Sequence, residues 1–153
     1  MLKEDIKQEF MDVVGKDRAL HRIEELSCYS YDAFAAEAMP DLVLFPDTTE
    51  EVSAIMKTAS RHKVPVTGRG AGTSICGAPV PVRHGVVVCF SKMDEILEVN
   101  TRDRYAIVQP GVVNGDLQRA LAPFGFFYPP DPGSMEVSTI GGNVAQKAGG
   151  LRC

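Results

Sequence analysis

The apolar positions at the start of the chain, Leu2, Ile6, Phe10, Val13 and Val14, recur at helical spacing, and Gly15 follows as a C-cap. Leu20, Ile23 and Leu26 predict a second, short helix, and residues 28–40 are polar, small and irregular. Leu42–Phe45 is a continuous apolar run closed by Pro46, the pattern of a buried strand. Thr48 with Glu51 three residues later is a capping box, and Val52, Ile55, Met56 and Ala59 form the stripe of the helix it opens. His62 and Lys63 sit at that helix's C-terminal end, where cations suit the dipole and His62 is expected to cap. Val64-Pro65-Val66 begins the next strand. The crossover between the two strands is long enough for them to pair in parallel.

Further on, Val86–Phe90 reads as a strand, and Ile96–Val99 with Ala106–Val108 as a pair joined by the polar turn Asn100–Asp103. Asn114 stands where it can cap a helix carrying Leu117, Ala120 and Leu121. The aromatic cluster Phe124–Tyr128 is assigned to the core. Pro129-Pro130-Asp131-Pro132-Gly133 then forces an extended turn. The element order is α+β with a βαβ start.

Composition narrows the function classes. The 153 residues are 44% hydrophobic and 24% charged, ordinary for a globular protein, and the net charge is −4. No Lys/Arg run marks a basic patch, which argues against nucleic acid as a partner. An anionic ligand would have to be held by local donors. Cys28, Cys76, Cys89 and Cys153 form no C-x-x-C pair, and His21, His62 and His84 stand apart from other ligands. Neither a zinc site nor a disulfide framework is expected. The start MLKEDIKQEF is not a signal peptide, and no apolar run approaches the ~18 residues of a membrane span. The cytoplasm is the expected location, with no direct membrane insertion.

Two glycine-rich segments carry the candidate chemistry. The first, Thr67-Gly68-Arg69-Gly70-Ala71-Gly72-Thr73-Ser74-Ile75-Cys76-Gly77, follows a strand directly. Glycines at alternate positions allow positive φ, so successive amides can converge on an anion. It is not a P-loop, because Ala78-Pro79 follow Gly77 where Lys and Ser/Thr are needed. The Rossmann fingerprint fails as well, since Thr73 stands where the third glycine belongs. Cys76 is read as a small buried filler. In the second segment, Ser138–Gly150, Thr139 is placed to cap a short helix whose first turn is Gly141-Gly142-Asn143. A helix start exposes free amides to a ligand. Either segment taken alone is also compatible with simple turns or packing.

Together with Gln109-Pro110-Gly111-Val112 and Pro129–Ser134, these segments form an ordered pattern. From about Asp41 to Cys153 it closely resembles the FAD-linked subunit of glycolate oxidase and the related D-lactate dehydrogenases. These belong to the flavoprotein superfamily of vanillyl-alcohol oxidase and p-cresol methylhydroxylase. The resemblance implies a PCMH-type FAD-binding fold: an N-terminal helical arm over residues 1–40, then a flavin domain over 41–153 that is truncated at its C-terminal end. It implies that Arg69, Gly70, Ala71, Gly72, Thr73 and Ser74, with Gly77, wrap the FAD pyrophosphate through their amides. Pro132, Thr139, Gly141, Gly142 and Asn143 would line the flavin and ribityl side, with Gly149 near the diphosphate or adenosine. The Arg69 side chain either neutralises a phosphate or points to solvent. Some relatives attach flavin covalently through a His in the first loop; Thr73 stands at that place here, implying non-covalent FAD. The reaction implied is oxidation of a 2-hydroxy acid to a 2-oxo acid. Electrons would pass to an acceptor protein such as an iron-sulfur subunit or an electron-transfer flavoprotein. Catalytic residues are expected outside this chain, which alone should show no turnover and bind FAD weakly or not at all. The alternatives are a module for another diphosphate, such as that of UDP-sugars, and a non-catalytic remnant.

Overall fold

A computed structural model describes residues 2–34 and 36–152. The chain divides into two compact units, Met1–Lys92 and Met93–Cys153.

In the first unit, α1 (Glu4–Val14) buries Phe10 and Val14 and stops at Gly15, whose φ of 85° ends the helix and whose amide donates to Met11 O. Next come β1 (Ala19–Leu20), the one-turn α2 (Ile23–Leu26), β2 (Leu42–Leu44), α3 (Thr49–His62), β3 (Val66–Arg69) and β4 (Val86–Cys89). Leu20 therefore lies in a strand, not in the short helix expected for it. The sheet order is β1-β2-β4-β3, with β1 antiparallel to β2 and the other pairs parallel. The strands β2 and β3 are thus parallel but not neighbours, because the wholly buried β4 inserts between them. Alternation along the strands supplies both faces of the sheet. Leu42, Leu44, Val86 and Val88 pack with Phe10, Val14, Ile55 and Ala59 on one side. Val43, Val87 and Cys89 pack with Leu26 on the other. Each such aliphatic side chain contributes roughly 1.5–3 kcal/mol on full burial.

Thr48 caps α3 by accepting the Glu51 amide at 3.2 Å. The Glu51 carboxylate accepts the Asp47 amide at 2.8 Å and grips Arg18 with both oxygens, at 2.6 and 2.8 Å. On the α3 stripe Met56 is 49% exposed, and Thr58 takes the buried place with Ile55 and Ala59. His62 does not cap α3. The turn closes at Lys63 in the left-handed region, while His62 Nε2 meets Glu9 Oε2 of α1 at 2.7 Å.

In the second unit, β5 (Ile96–Asn100) and β6 (Tyr105–Val108) form an antiparallel ribbon, followed by α4 (Asn114–Leu121) and α5 (Ile140–Gln146). Val112, Leu117, Leu121 and Ile140 form the core, against Ile96, Val99, Ala106 and Val108 of the ribbon. Asn114 is not the cap of α4. Val113 holds that position, and Asn114 is fully buried with its Nδ2 donating to Pro130 O at 3.2 Å. The aromatic cluster splits: Phe126 and Tyr128 pack on the core, while Phe124 and Phe127 are exposed.

Candidate functional site

The strand β3 runs three residues into the first glycine segment, so Thr67, Gly68 and Arg69 are ladder residues paired with Val87, Val88 and Cys89. Of the alternating glycines 68, 70 and 72, only Gly72 has a positive φ, of 74°; Gly77 has one of 76°. The loop proper begins at Gly70. Among the described residues, the amides of Gly70, Ala71, Gly72 and Thr73 donate to no protein acceptor. Four consecutive unspent donors after a strand are what an anion needs, since hydrogen bonds to a charged group contribute roughly 1.5–3 kcal/mol each.

The loop is tied down from one side by residues 29–34. Ala33 donates its amide to Ser74 O at 3.0 Å. Asp32, 8% exposed, accepts the Phe34 amide on Oδ1 at 2.7 Å and the Gly77 amide on Oδ2 at 3.0 Å. The Gly77 amide is therefore spent, contrary to the role expected for it in wrapping a pyrophosphate. Arg69 turns inward instead of to solvent. It is 8% exposed, donates from Nη1 to Tyr31 O at 2.7 Å, and holds its guanidinium carbon 5.4 Å from the centre of the Tyr29 ring. Burial holds the Tyr29 hydroxyl above the usual phenol range, and Cys89 adds to the rise while Arg69 opposes it. A side chain at position 72 would overlap the Arg69 guanidinium, whose carbon lies 2.8 Å from where a Cβ would sit. Glycine at 72 thus serves both the turn and the seat of Arg69. Cys76 is exposed, not a buried filler, with its Sγ 3.3 Å from Ser74 Oγ.

The second segment differs from its expectation in a definite way. Thr139 does cap α5, accepting the Gly142 amide at 3.4 Å. The other amides of the first turn are also engaged: Ile140 with Val112 O, Gly141 with Pro110 O and Asn143 with Thr139 O, at 2.8–2.9 Å. The free-amide turn expected at Gly141, Gly142 and Asn143 is therefore absent, while Thr139 is the cap that was expected. Gly141 is required by packing, because a Cβ there would lie 2.6 Å from Pro110 Cβ. What the segment does offer is an open cleft lined by Tyr128, Pro130, Asn143, Val144, Lys147, Ala148 and Gly149. Its wall is the extended proline turn. Gln118 Oε1 accepts the Tyr128 amide at 3.0 Å, and Asp131 donates its amide to Gly149 O at 2.8 Å. Gly149 thus meets the proline turn directly, while Pro132 is buried behind it. Asn143 Nδ2, Asn114 Oδ1 and Ser138 Oγ are buried without a partner among the described residues.

Sequence reasoning missed Asp32, Tyr31 and Ala33 because their partners are distant along the chain. The one local signal was Asp32 two residues before Phe34, the spacing of an Asx-turn. No group of three or more His, Cys, Asp or Glu among the described residues is placed to hold a metal.

The chain is 42% identical over 99% of its length to the glycolate oxidase subunit GlcD of Bacillus subtilis (strain 168), and 35% identical over 95% of its length to a D-lactate dehydrogenase of Anaerostipes hadrus. It spans about a third of their lengths, 33% and 30%. A solved p-cresol methylhydroxylase with substrate bound matches 92% of this chain and 28% of its own, with a TM-score of 0.79 at 23% identity. That likeness establishes the α+β, PCMH-type fold. Residues 40–153 match the model of the FAD binding domain, and the chain belongs to that family.

Proposed function

We propose that this chain is the diphosphate-holding portion of a flavoprotein that binds FAD without a covalent link and oxidises a 2-hydroxy acid of the glycolate or D-lactate type to the 2-oxo acid. The observation that carries the reading is the run of four amides, Gly70 to Thr73, with no protein acceptor among the described residues. Gly70–Ser74 would hold the pyrophosphate, with the Arg69 side chain seated against Gly72. The cleft by Asn143 and Gly149 would take the flavin side by shape more than by amide donation. Pro132, Thr139, Gly141 and Gly142 are assigned to the same side from the ordered motifs alone. Bound FAD supplies the hydride acceptor, and the protein binds and orients it. Thr73, with no nucleophilic ring nitrogen, supports non-covalent binding. The relatives named as a subunit support a partner protein that accepts electrons, either an iron-sulfur subunit or an electron-transfer flavoprotein. We place its work in the cytoplasm. No helix among the described residues is long and apolar enough to cross a membrane.

The test is a titration of the purified chain with FAD, UDP-glucose and ATP, followed by an assay with glycolate and D-lactate. Weak, saturable binding that favours FAD, without turnover, is the expected result. UDP-glucose or ATP binding as tightly as FAD would refute the reading, as would robust dehydrogenase activity of the chain alone.

A further inference from the structure

Arg69 is a buried guanidinium without a counter-charge. Among the described residues no carboxylate oxygen lies within 4.0 Å of its nitrogens, and its neighbours are the Tyr31 carbonyl and the Tyr29 ring face. A buried cation without a paired anion is costly to keep. This one lies against Gly72, inside the turn whose amides from 70 to 73 are unspent. The charge and the amides therefore call for the same thing, an anion on the outer side of the loop. Asp32 presents the opposite case. Its carboxylate lies close to a site for an anion, where charge alone would make it unfavourable, yet both its oxygens are taken by backbone amides, those of Phe34 and Gly77. Its work is to clamp the return end of the loop. None of the tethers from residues 29–34 uses an amide from 70 to 73.

We propose that Arg69 and Asp32 are positioning residues for the diphosphate: Arg69 as a counter-charge buried beneath the loop, acting through Gly72 without touching the ligand, and Asp32 as the clamp that holds the amides ready. This rests on the reading of the loop as an FAD site. The two roles differ in sign. Removing the Arg69 charge weakens binding of an anion. Removing the Asp32 charge would strengthen it if electrostatics alone mattered, and weakens it if the clamp matters.

The experiment compares the wild-type chain with Arg69→Met, Arg69→Lys and Asp32→Asn. Each is titrated with FAD, and with riboflavin, which lacks the diphosphate, at low and high sodium chloride, and flavin fluorescence is read. Arg69→Met is expected to bind FAD about tenfold more weakly at low salt, with a flatter dependence on salt and unchanged riboflavin binding. Arg69→Lys is expected to recover the salt dependence of the wild type. Asp32→Asn is expected to weaken FAD binding several-fold despite the lost negative charge, with faster hydrogen exchange at the Gly77 amide. An unchanged salt dependence in Arg69→Met overturns the counter-charge. Equal or tighter FAD binding by Asp32→Asn overturns the clamp, and it does so even if Arg69→Met fails to fold. The sequence left weak or no binding open, whereas the unspent amides from 70 to 73 call for binding; a wild-type chain without FAD binding therefore overturns the FAD reading itself, and this proposal with it, and wild-type binding matched by every variant overturns this proposal alone.

Discussion

Gly125 and Gly150 have nearly the same backbone, with φ of 74° and 72°, but different surroundings. A Cβ at 125 would meet open space, so the cost of Gly125→Ala is the left-handed conformation alone, about 1–2 kcal/mol. A Cβ at 150 would overlap the Asp131 carbonyl, with Pro132 N 2.7 Å away, where Gly150 bridges to Asp131. Gly150→Ala adds a backbone shift to the same conformational cost. Urea unfolding should therefore place Gly150→Ala below Gly125→Ala by at least about 1 kcal/mol, and equal stabilities would contradict the packing account. The sequence pattern ended its second glycine segment on Gly149-Gly150 and gave Gly149 a place near the ligand. The structure gives Gly150 a packing duty and leaves Gly149 on the cleft, a division no spacing rule reveals because it depends on a strand-like contact across the proline turn.

At the scale of elements, α3 was readable because its signals are local: the Thr48 cap, the apolar stripe and the cationic end. What locks it in place was not. Glu51 reaches Arg18, 33 residues away, and Glu9 of α1 reaches Arg61 and His62. The hydrogen bond from Arg18 holds the Glu51 carboxyl below the usual carboxylate range, against a smaller push from burial. The hydrogen bond from His62, with help from Arg61, does the same for Glu9. A carboxyl lowered in the folded state stabilises above its unfolded value and loses that contribution as pH falls through its folded value. Thermal stability should thus decline from about pH 4 downward. Glu51→Gln should be less stable by up to about 1 kcal/mol at neutral pH and converge with wild type in acid. A constant gap between the two across that range would remove the ion pair from the account. The strap from Tyr29 to Phe34 was hidden for the same reason as these links. Its residues are polar and irregular in sequence and gain meaning only from Arg69, Ser74 and Gly77.

For the molecule as a whole, β2 to β6 were legible from apolar runs, but the two-residue β1 was not, and neither was strand order. The insertion of β4 between β2 and β3 is a long-range outcome, decided by which all-apolar strand can be covered on both faces. The order of the motifs carried the family, and the match over residues 40–153 agrees with it. The motifs did not carry the fate of each amide: of the two segments read as donors, the first keeps its donors from 70 to 73 and the second spends them internally. Anion binding by the amides from 70 to 73 is therefore local and measurable. Amide chemical shifts of the isotopically labelled chain should move at Gly70, Ala71, Gly72 and Thr73 on addition of FAD, stay in place there on addition of riboflavin, and move little at Ile140–Asn143. Shifts confined to the start of α5, or the same shifts at 70–73 from riboflavin, would contradict it.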